Sequence, residues 1–218
     1  MARASGDVGE ARWPMAGAVL AAIVLTVLLP DAVRVGPRWL LPLIETVLLL
    51  IVVAGDPVRI SRRSRELRTV SIVLVSVLVL ATLWSTGQLI DDLIHGGPET
   101  NSANELLAAG TAVWFSNIIA FALLYWEVDG GGAAARAHQI PDHADFAFPQ
   151  QSNPRLARPN WRPLFVDYLY LGFTNATAFS PTDVMPLAPW AKLTMAVQSF
   201  ISIAILGLVI ARAVNVFT

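Results

Sequence analysis

Apolar runs alternate with short polar segments along the chain, and Gly or Pro residues stand between them. A helix needs ~20 mainly apolar residues to cross a bilayer, and Gly and Pro commonly end helices. The pattern predicts four helices in the first half, at residues 14–29, 39–54, 67–94 and 103–126. The first run lacks a small-x-small cleavage site, so we interpret it as a retained helix. Residues 1–13 form a polar tail that we expect to be frayed.

The last quarter of the chain has a different pattern. A short aromatic helix is predicted at 165–173, followed by a polar run and then by a long apolar helix at 190–216. Polar backbone at membrane depth is tolerated only where it is buried in protein or lines a wet cavity. The polar residues of this segment are therefore candidates for lining a pore. They are Asp167, Thr174, Asn175, Thr177, Ser180, Thr182 and Asp183.

These elements predict an all-α fold, a polytopic transmembrane bundle of five full spans plus a half-helix or sixth span. We divide the chain into a four-helix region (1–128), a polar loop (129–162) and a pore-like half-helix, polar link and final helix (163–218). The segment Arg59–Arg68 holds five arginines, which marks the cytoplasmic side and offers a second role in binding anionic headgroups. The arginines of the polar loop place it on the same side. A full crossing by 164–181, which we favour, then gives six spans, whereas a re-entrant half-helix gives five.

The composition also indicates a membrane protein. Hydrophobic residues make up 55% of the chain and charged residues 14%, with a mean hydropathy of +0.59, whereas soluble domains carry about 25% charged residues. The partner expected from this is the lipid bilayer, and the expected location is the inner (plasma) membrane of a bacterium. The net charge of -1 gives no electrostatic case for nucleic acid. The absence of cysteine excludes disulfides and thiolate chemistry.

Two polar residues inside the predicted spans are candidates for intramembrane function. Glu45 is ionisable, and such groups usually face the bundle and have a function; the alternative is that it snorkels to the interface or pairs with Arg38. Asn117 is expected to hydrogen-bond a neighbouring helix. Tyr125 and Trp126 are expected at the membrane interface, where aromatic side chains concentrate.

The polar loop holds the densest group of potential metal ligands, His138, Asp142, His143 and Asp145. No helix is predicted there to hold them at i, i+4 spacing, so we predict no metal and no cofactor. Asp145 opens the sequence DFAFP, whose aromatics we expect to pack at the membrane surface. The chain also lacks a Ser-His-Asp spacing, a metal-binding helix and a phosphate loop, so we do not expect an enzyme.

Asp183–Lys192, DVMPLAPWAK, resembles the segment that follows the selectivity filter of tetrameric potassium channels. The aromatic helix before it resembles their pore helix, and the resemblance implies a pore helix, filter and inner helix. A carbonyl filter needs glycines that let successive carbonyls face the ion. The matching residues 178–182 read AFSPT, so we do not expect a potassium-selective carbonyl filter.

The whole chain is similar to a family of small bacterial inner-membrane proteins of unknown function. The similarity rests on four segments, 125–131, 145–149, 167–183 and 213–215. It implies a class of protein and no activity.

Two functions follow from these observations. The first is channel-like permeation of small monovalent cations, such as K+, Na+ or protons, along the polar candidates of the last quarter. One chain has few helices to enclose a channel, so this function implies a homo-oligomer. The alternative is a non-conducting scaffold or accessory subunit, in which the same polar groups hydrogen-bond helices to one another.

Overall fold

The computed structural model describes residues 9–60, 64–96, 103–138, 144–153, 155, 157–158, 161–177 and 183–217, and their side chains except at 103, 152 and 213–217. Within these residues the fold is all-α apart from two small antiparallel ladders, which confirms the predicted class. The helices are α1 (Trp13–Leu28), α2 (Leu40–Gly55), α3 (Arg65–His95), α4 (Ala103–Val128), α5 (Ala133–Ala137), α6 (Pro149–Ser152), α7 (Phe165–Thr177) and α8 (Pro189–Phe217). The strands are β1 (Glu10–Ala11), β2 (Arg59–Ile60), β3 (Phe146–Ala147) and β4 (Met185–Pro186), and β1 pairs with β2 and β3 with β4.

Helix α4 lies at the centre of the bundle and packs against α1, α3, α7 and α8. Of its apolar stretch 61% is buried inside the protein, against 22% for α3 and 33% for α8. Small side chains at Ala109, Gly110, Ala120 and Ala122 allow the neighbouring helices to approach closely. The outer helices therefore keep much of their apolar surface on the outside of the molecule.

Three helices in the described part of the chain, at Arg65–His95, Asn104–Gly131 and Pro189–Arg212, are long and apolar enough to cross a membrane. Helices α1 and α2 are also apolar but have 16 residues each. Large apolar side chains such as Leu50, Leu80 and Phe200 are more than half exposed on the outside of the bundle. An apolar exterior of this kind suits a lipid surrounding.

Helix α7 enters the bundle and the chain then leaves it at the same end. The amide of Phe165, at the start of α7, donates to the carboxylate of Glu10, which also binds Trp126 near the end of α4. Gly172 lies deeper, where a Cβ atom would stand 3.0 Å from the carbonyl oxygen of Ile118. After residues 178–182, which lie outside the described residues, the chain has returned to the end where α7 starts, at strand β4.

Asp145 holds the chain after α7 at the end of the bundle where α7 starts. The amide of Leu187 donates to the Asp145 carbonyl at 2.8 Å, and the Asp145 carboxylate accepts from the amide of Gly130, just after α4, at 2.9 Å. Both ends of 165–187 are thus near the end of α4, so the predicted full crossing by 164–181 is wrong. The 13 residues of α7 span ~20 Å at ~1.5 Å per residue, less than the ~30 Å of a hydrocarbon core.

The segment before α1 is ordered, so the predicted frayed tail is wrong for residues 10–13. Glu10 and Arg12 are 7% and 6% exposed. Strand β1 holds Glu10 against β2, and the Arg12 guanidinium lies 3.7 Å from the carboxylate of Asp56. Residues 1–8 lie outside the described residues.

The aromatic residues near the end of α4 face the interior of the protein and not its outer surface; their position at the level of the membrane interface stays a prediction. Tyr125 and Trp126 are 0% and 2% exposed. Phe146 and Phe148 of the DFAFP segment are also buried, and their expected level at the membrane surface stays a prediction. The Phe146 ring centroid lies 5.3 Å from that of Tyr125 and 5.5 Å from that of Trp190 in edge-on contacts. This aromatic cluster packs the polar loop against the start of α8.

Candidate functional site

The predicted pore-lining residues have different environments. Asp167 accepts a hydrogen bond from the amide of Leu164 at 2.8 Å and so caps the start of α7. The hydroxyls of Thr174 and Thr177 donate to carbonyls of their own helix, one turn back, and Asp183 is exposed. Ser180 and Thr182 lie outside the described residues.

Asn175 is the predicted residue that joins the polar interior. Its amide nitrogen donates to Oε1 of Gln198 at 2.7 Å and to the carbonyl of Met195 at 3.0 Å. Gln198 is fully buried; it also accepts from the hydroxyl of Tyr125 at 2.7 Å and donates to the carbonyl of Gly172 at 2.9 Å. These bonds link α4, α7 and α8, and we call Tyr125, Asn175 and Gln198 the amide cluster.

Asn117 hydrogen-bonds a neighbouring helix, as predicted. Its amide nitrogen donates to Oγ of Ser202 on α8 at 3.0 Å, and both residues are fully buried. Its Oδ1 accepts no hydrogen bond from the described residues. Ser202 is one helical turn from Gln198, so the Asn117 pair continues the polar interior from the amide cluster.

Glu45 faces the inside of the bundle. Its side chain is 0% exposed, so the alternative that it reaches the interface is wrong. Neither carboxylate oxygen accepts a hydrogen bond from any described residue, Arg38 included. Burying an unpaired charge is costly, so a carboxyl group in this position requires a bound proton, a water molecule or a cation.

A small cavity of about 10 Å³ adjoins Glu45, close to the volume that one water molecule needs. Thr82, Ser85 and Ser116 bring hydroxyl groups to its wall, and Arg34 lines it as well. The Oγ of Ser116 and the Nε of Arg34 have no hydrogen-bond partner among the described residues. A water molecule here would therefore find both donors and acceptors.

Arg34 is the cationic group at this cavity. Its Nη1 donates to Asp31 Oδ1 at 2.5 Å, and its Nη2 donates to the carbonyl of Leu29. Asp31 is exposed while the Arg34 side chain is buried. The guanidinium is thus held at the mouth of the bundle by partners other than Glu45.

Polar side chains continue from the Glu45 cavity to the other face of α4. Ser116 lines the cavity, and the next residue, Asn117, bonds Ser202. The amide cluster follows one turn along α8, at Gln198. Each of these groups lies on or between helices of the bundle, so polar side chains occur inside it at several positions between α2 and α8.

A larger cavity of about 360 Å³ lies at the end of the bundle where α3 starts and α4 ends. Arg12, Arg65 and Arg68 line it, and Glu127 stands on its wall, accepting from the hydroxyl of Ser71 at 2.7 Å. We call this space the arginine cavity. Residues 61–63 of the arginine-rich loop lie outside the described residues.

A buried ionic cluster fastens the polar loop next to this cavity. Nη1 of Arg136 donates to the carbonyl oxygens of Trp126 and Asp129 at 2.7 and 2.5 Å. The hydroxyl of Tyr168 donates to the Asp129 carboxylate, and the Arg136 guanidinium lies 4.9 Å from the centre of the Tyr168 ring. These bonds join the end of α4, α5 and α7.

The described residues contain no group of three or more side chains that could hold a metal ion. Asp145 of the predicted cluster binds the amide of Gly130 and, through Oδ1 at 3.2 Å, the indole of Trp190. Asp142 and His143 lie outside the described residues. The contacts of Asp145 are structural ones.

Sequence reasoning missed Gln198, Glu127 and Asp129, which are all buried. Gln198 is an amide in the middle of an apolar run, the same signal that identified Glu45. Glu127 and Asp129 follow the predicted helix 103–126, and nothing local in the sequence shows that Arg136 and Tyr168 fold over them.

Comparisons of the chain with protein-family models, with curated proteins and with solved structures found no match. The two resemblances drawn from the sequence therefore stay predictions.

Proposed function

We propose that this chain is an integral membrane protein of the inner (plasma) membrane that binds and passes protons or other small monovalent cations through its interior. The single observation that carries the proposal is Glu45, a fully buried carboxyl group whose oxygens accept no hydrogen bond from the described residues. Ionisable groups in spans commonly mark ion and proton pathways.

The proposed topology has five spans and one half-helix. Helices α1 to α4 and α8 cross the membrane, and α7 enters and returns on the side of Arg59–Arg68, which is cytoplasmic by its arginines. Helices α1 and α2, of 16 residues each, are ~24 Å long and need local thinning of the bilayer. A potassium-channel pore helix enters from the outside, so the proposed orientation of α7 is the opposite one.

The proposed path runs inside one chain. It connects the Glu45 cavity through Ser116 and Asn117 to Ser202 and the amide cluster, and it uses Asn175 of the residues predicted in the polar link. A homo-oligomer, expected from the sequence, is not needed for this path and stays a prediction.

Proton flux into liposomes tests the proposal. Purified protein is reconstituted with a trapped pH-sensitive dye, and a pH gradient is imposed with valinomycin and K+ for charge balance. We expect wild-type protein to pass protons faster than empty liposomes, and Glu45→Gln to reduce the flux to the level of empty liposomes. Glu105→Gln is the matched control, because Glu105 is exposed at the start of α4.

Equal flux in wild-type and Glu45→Gln would show that Glu45 is not part of the path. Parallel measurements with Na+ and K+ indicators identify the ion. If wild-type liposomes pass none of the three ions faster than empty ones, permeation is wrong.

The second candidate is a non-conducting scaffold or accessory subunit. The amide cluster favours it, because Gln198 uses both its acceptor and its donor on protein groups at 2.7 to 2.9 Å. Polar groups paired in this way stabilise helix contacts and do not require a permeating ion. Absence of flux together with loss of stability in a Gln198 variant would support this candidate.

A further inference from the structure

The arginine cavity is amphiphilic and is not used by the proposed ion path. Its volume of about 360 Å³ falls in the range of small-molecule sites. Its polar lining includes three arginines, two serines and one glutamate, and Val52, Ile60, Leu67 and Trp126 supply apolar wall. A ligand for it should therefore carry both charge and apolar surface.

The arginines favour a phosphate group. Arg12 is buried and held by Asp56, through an Nε bond of 2.5 Å to the Asp56 carbonyl and a carboxylate contact at 3.7 Å. Arg65 and Arg68 are exposed at the first turn of α3. Guanidinium groups bind phosphate oxygens in pairs of hydrogen bonds and are preferred over lysine for this purpose.

Gly131 and Gly132 also line this cavity, and since they have no side chains they expose their backbone to it. Their φ angles are +80° and +92°, and a Cβ on Gly131 would stand 3.5 Å from Nη1 of Arg68. Gly132 is close to Glu127, because a Cβ there would lie 3.6 Å from the Glu127 Oε1. The turn thus places Arg68 and Glu127 beside one another.

Glu127 restricts which phosphates fit. A carboxylate repels a bare phosphate and attracts a ligand that also carries hydroxyl or ammonium donors. Because three arginines line the cavity against one glutamate, the headgroup should also be anionic overall. Phosphatidylglycerol, with hydroxyl donors and a net negative charge, meets these requirements, and a zwitterionic ethanolamine headgroup does not. The glycerol hydroxyls of phosphatidylglycerol would face Glu127 while the phosphate faces the arginines.

The position of the cavity along the membrane normal is suited to a lipid headgroup. It lies where α3 begins and α4 ends, and both helices are long and apolar enough to span a membrane. The ends of spanning helices lie at the headgroup region, and basic pockets between helices on the cytoplasmic side are suited to anionic headgroups. We propose that the arginine cavity binds the headgroup of phosphatidylglycerol, with its phosphate between Arg65 and Arg68.

Native mass spectrometry of the full-length protein tests this site. The protein in non-ionic detergent is titrated with phosphatidylglycerol, with phosphatidic acid and with phosphatidylcholine. We expect saturable binding of one phosphatidylglycerol, with phosphatidic acid weaker because it lacks the hydroxyl donors, and phosphatidylcholine weaker still. The Arg65→Gln/Arg68→Gln variant should bind phosphatidylglycerol at least about tenfold more weakly, from the loss of charge-assisted hydrogen bonds.

Two variants separate the cavity from general surface charge. Arg38→Gln/Arg155→Gln removes two exposed arginines elsewhere and should leave binding unchanged. Ala134→Trp fills the cavity without changing charge and should weaken binding as the arginine double variant does. Equal circular dichroism and thermal unfolding of each variant show that the fold is retained.

Several results would overturn the assignment. Unchanged binding in Arg65→Gln/Arg68→Gln, or an equal loss in Arg38→Gln/Arg155→Gln, would show that the cavity is not the site. Displacement of the lipid by equimolar inorganic phosphate would identify a soluble phosphate as the ligand instead. Tighter binding of phosphatidic acid would contradict the part assigned to Glu127.

Discussion

The side-chain amide of Asn175 donates a hydrogen bond to Oε1 of Gln198 at 2.7 Å, and this bond ties the half-helix α7 to the final helix α8. Tyr125 of α4 donates to the same oxygen at 2.7 Å. Three helices therefore meet at one side chain, which makes Gln198 the best single position for testing what the polar interior contributes to stability.

Replacing Gln198 by Leu should destabilise the bundle. The change removes three hydrogen bonds to Tyr125, Asn175 and Gly172 while keeping similar volume. Hydrogen bonds inside membranes average ~0.6 kcal/mol each, so the expected loss in free energy of unfolding is about 2 kcal/mol. Reversible unfolding in mixed SDS and detergent micelles measures it. Val197→Leu, at an exposed neighbour on α8, is the control and should change stability little; an equal effect in both variants would rule out the amide cluster as the cause.

Glu10 should make stability depend on pH. Burial raises the pKa of its carboxyl group above the ordinary value of 4.5, while hydrogen bonds from Phe165 and Trp126 and the charges of Arg136 and Arg162 oppose this less strongly. The folded state thus holds the proton to higher pH than the unfolded state. The contribution of Glu10 is fully present below about pH 4.5 and is lost as the pH rises through the raised pKa.

The measurement is the free energy of unfolding of wild type minus that of Glu10→Gln, from pH 4 to pH 8. We expect this difference to fall as the pH rises, because the variant cannot ionise. The variant should also be less stable by an amount that does not depend on pH. In the wild type each carboxylate oxygen of Glu10 accepts an N–H donor, whereas the amide of Gln has one accepting oxygen. A flat curve for Glu10→Gln would contradict the raised pKa.

Two glycines should respond to alanine with opposite signs. Gly132 has φ +92°, and a Cβ would stand 3.0 Å from the carbonyl oxygen of Glu127. Gly132→Ala should therefore cost about 1–3 kcal/mol of stability. Gly17 lies inside α1 with nothing within 4 Å of its Cβ position, so Gly17→Ala should stabilise by ~0.5–1 kcal/mol. Thermal unfolding in detergent compares them. Unchanged or raised stability of Gly132→Ala would contradict the strain assigned to its turn.

The return of α7 can be tested by labelling, because the chain has no cysteine. Single cysteines are placed at the exposed positions Met185, Arg155 and His95 and treated with a membrane-impermeant maleimide in sealed vesicles of known orientation. Met185→Cys and Arg155→Cys should react from the same side, and His95→Cys from the opposite side. Reaction of Met185→Cys together with His95→Cys would mean that the segment after α7 crosses the membrane.

The long apolar runs of the sequence determined the helices. Each predicted helix is present near its predicted bounds, because long apolar runs bounded by Gly and Pro leave few alternatives to a helix. The stop of α3 is an example: Gly96, which follows His95, adopts φ +82°, a conformation that favours glycine. Glu45 and Asn117 were also identified from the sequence, since polar residues in apolar runs stand out without any knowledge of the fold.

Only the tertiary structure decided where the polar groups meet. Glu10 and Phe165 are 155 positions apart in sequence and yet share a hydrogen bond, and Tyr125 is bonded to Gln198 across 73 positions. Such pairs depend on how helices pack around α4, and no local pattern encodes that packing. For the same reason the sequence favoured a crossing by 164–181. The chain returns after the 13-residue helix α7 because Asp145 and strand β3 bind the residues that follow α7, at Leu187 and strand β4. Hydropathy contains no information about these contacts.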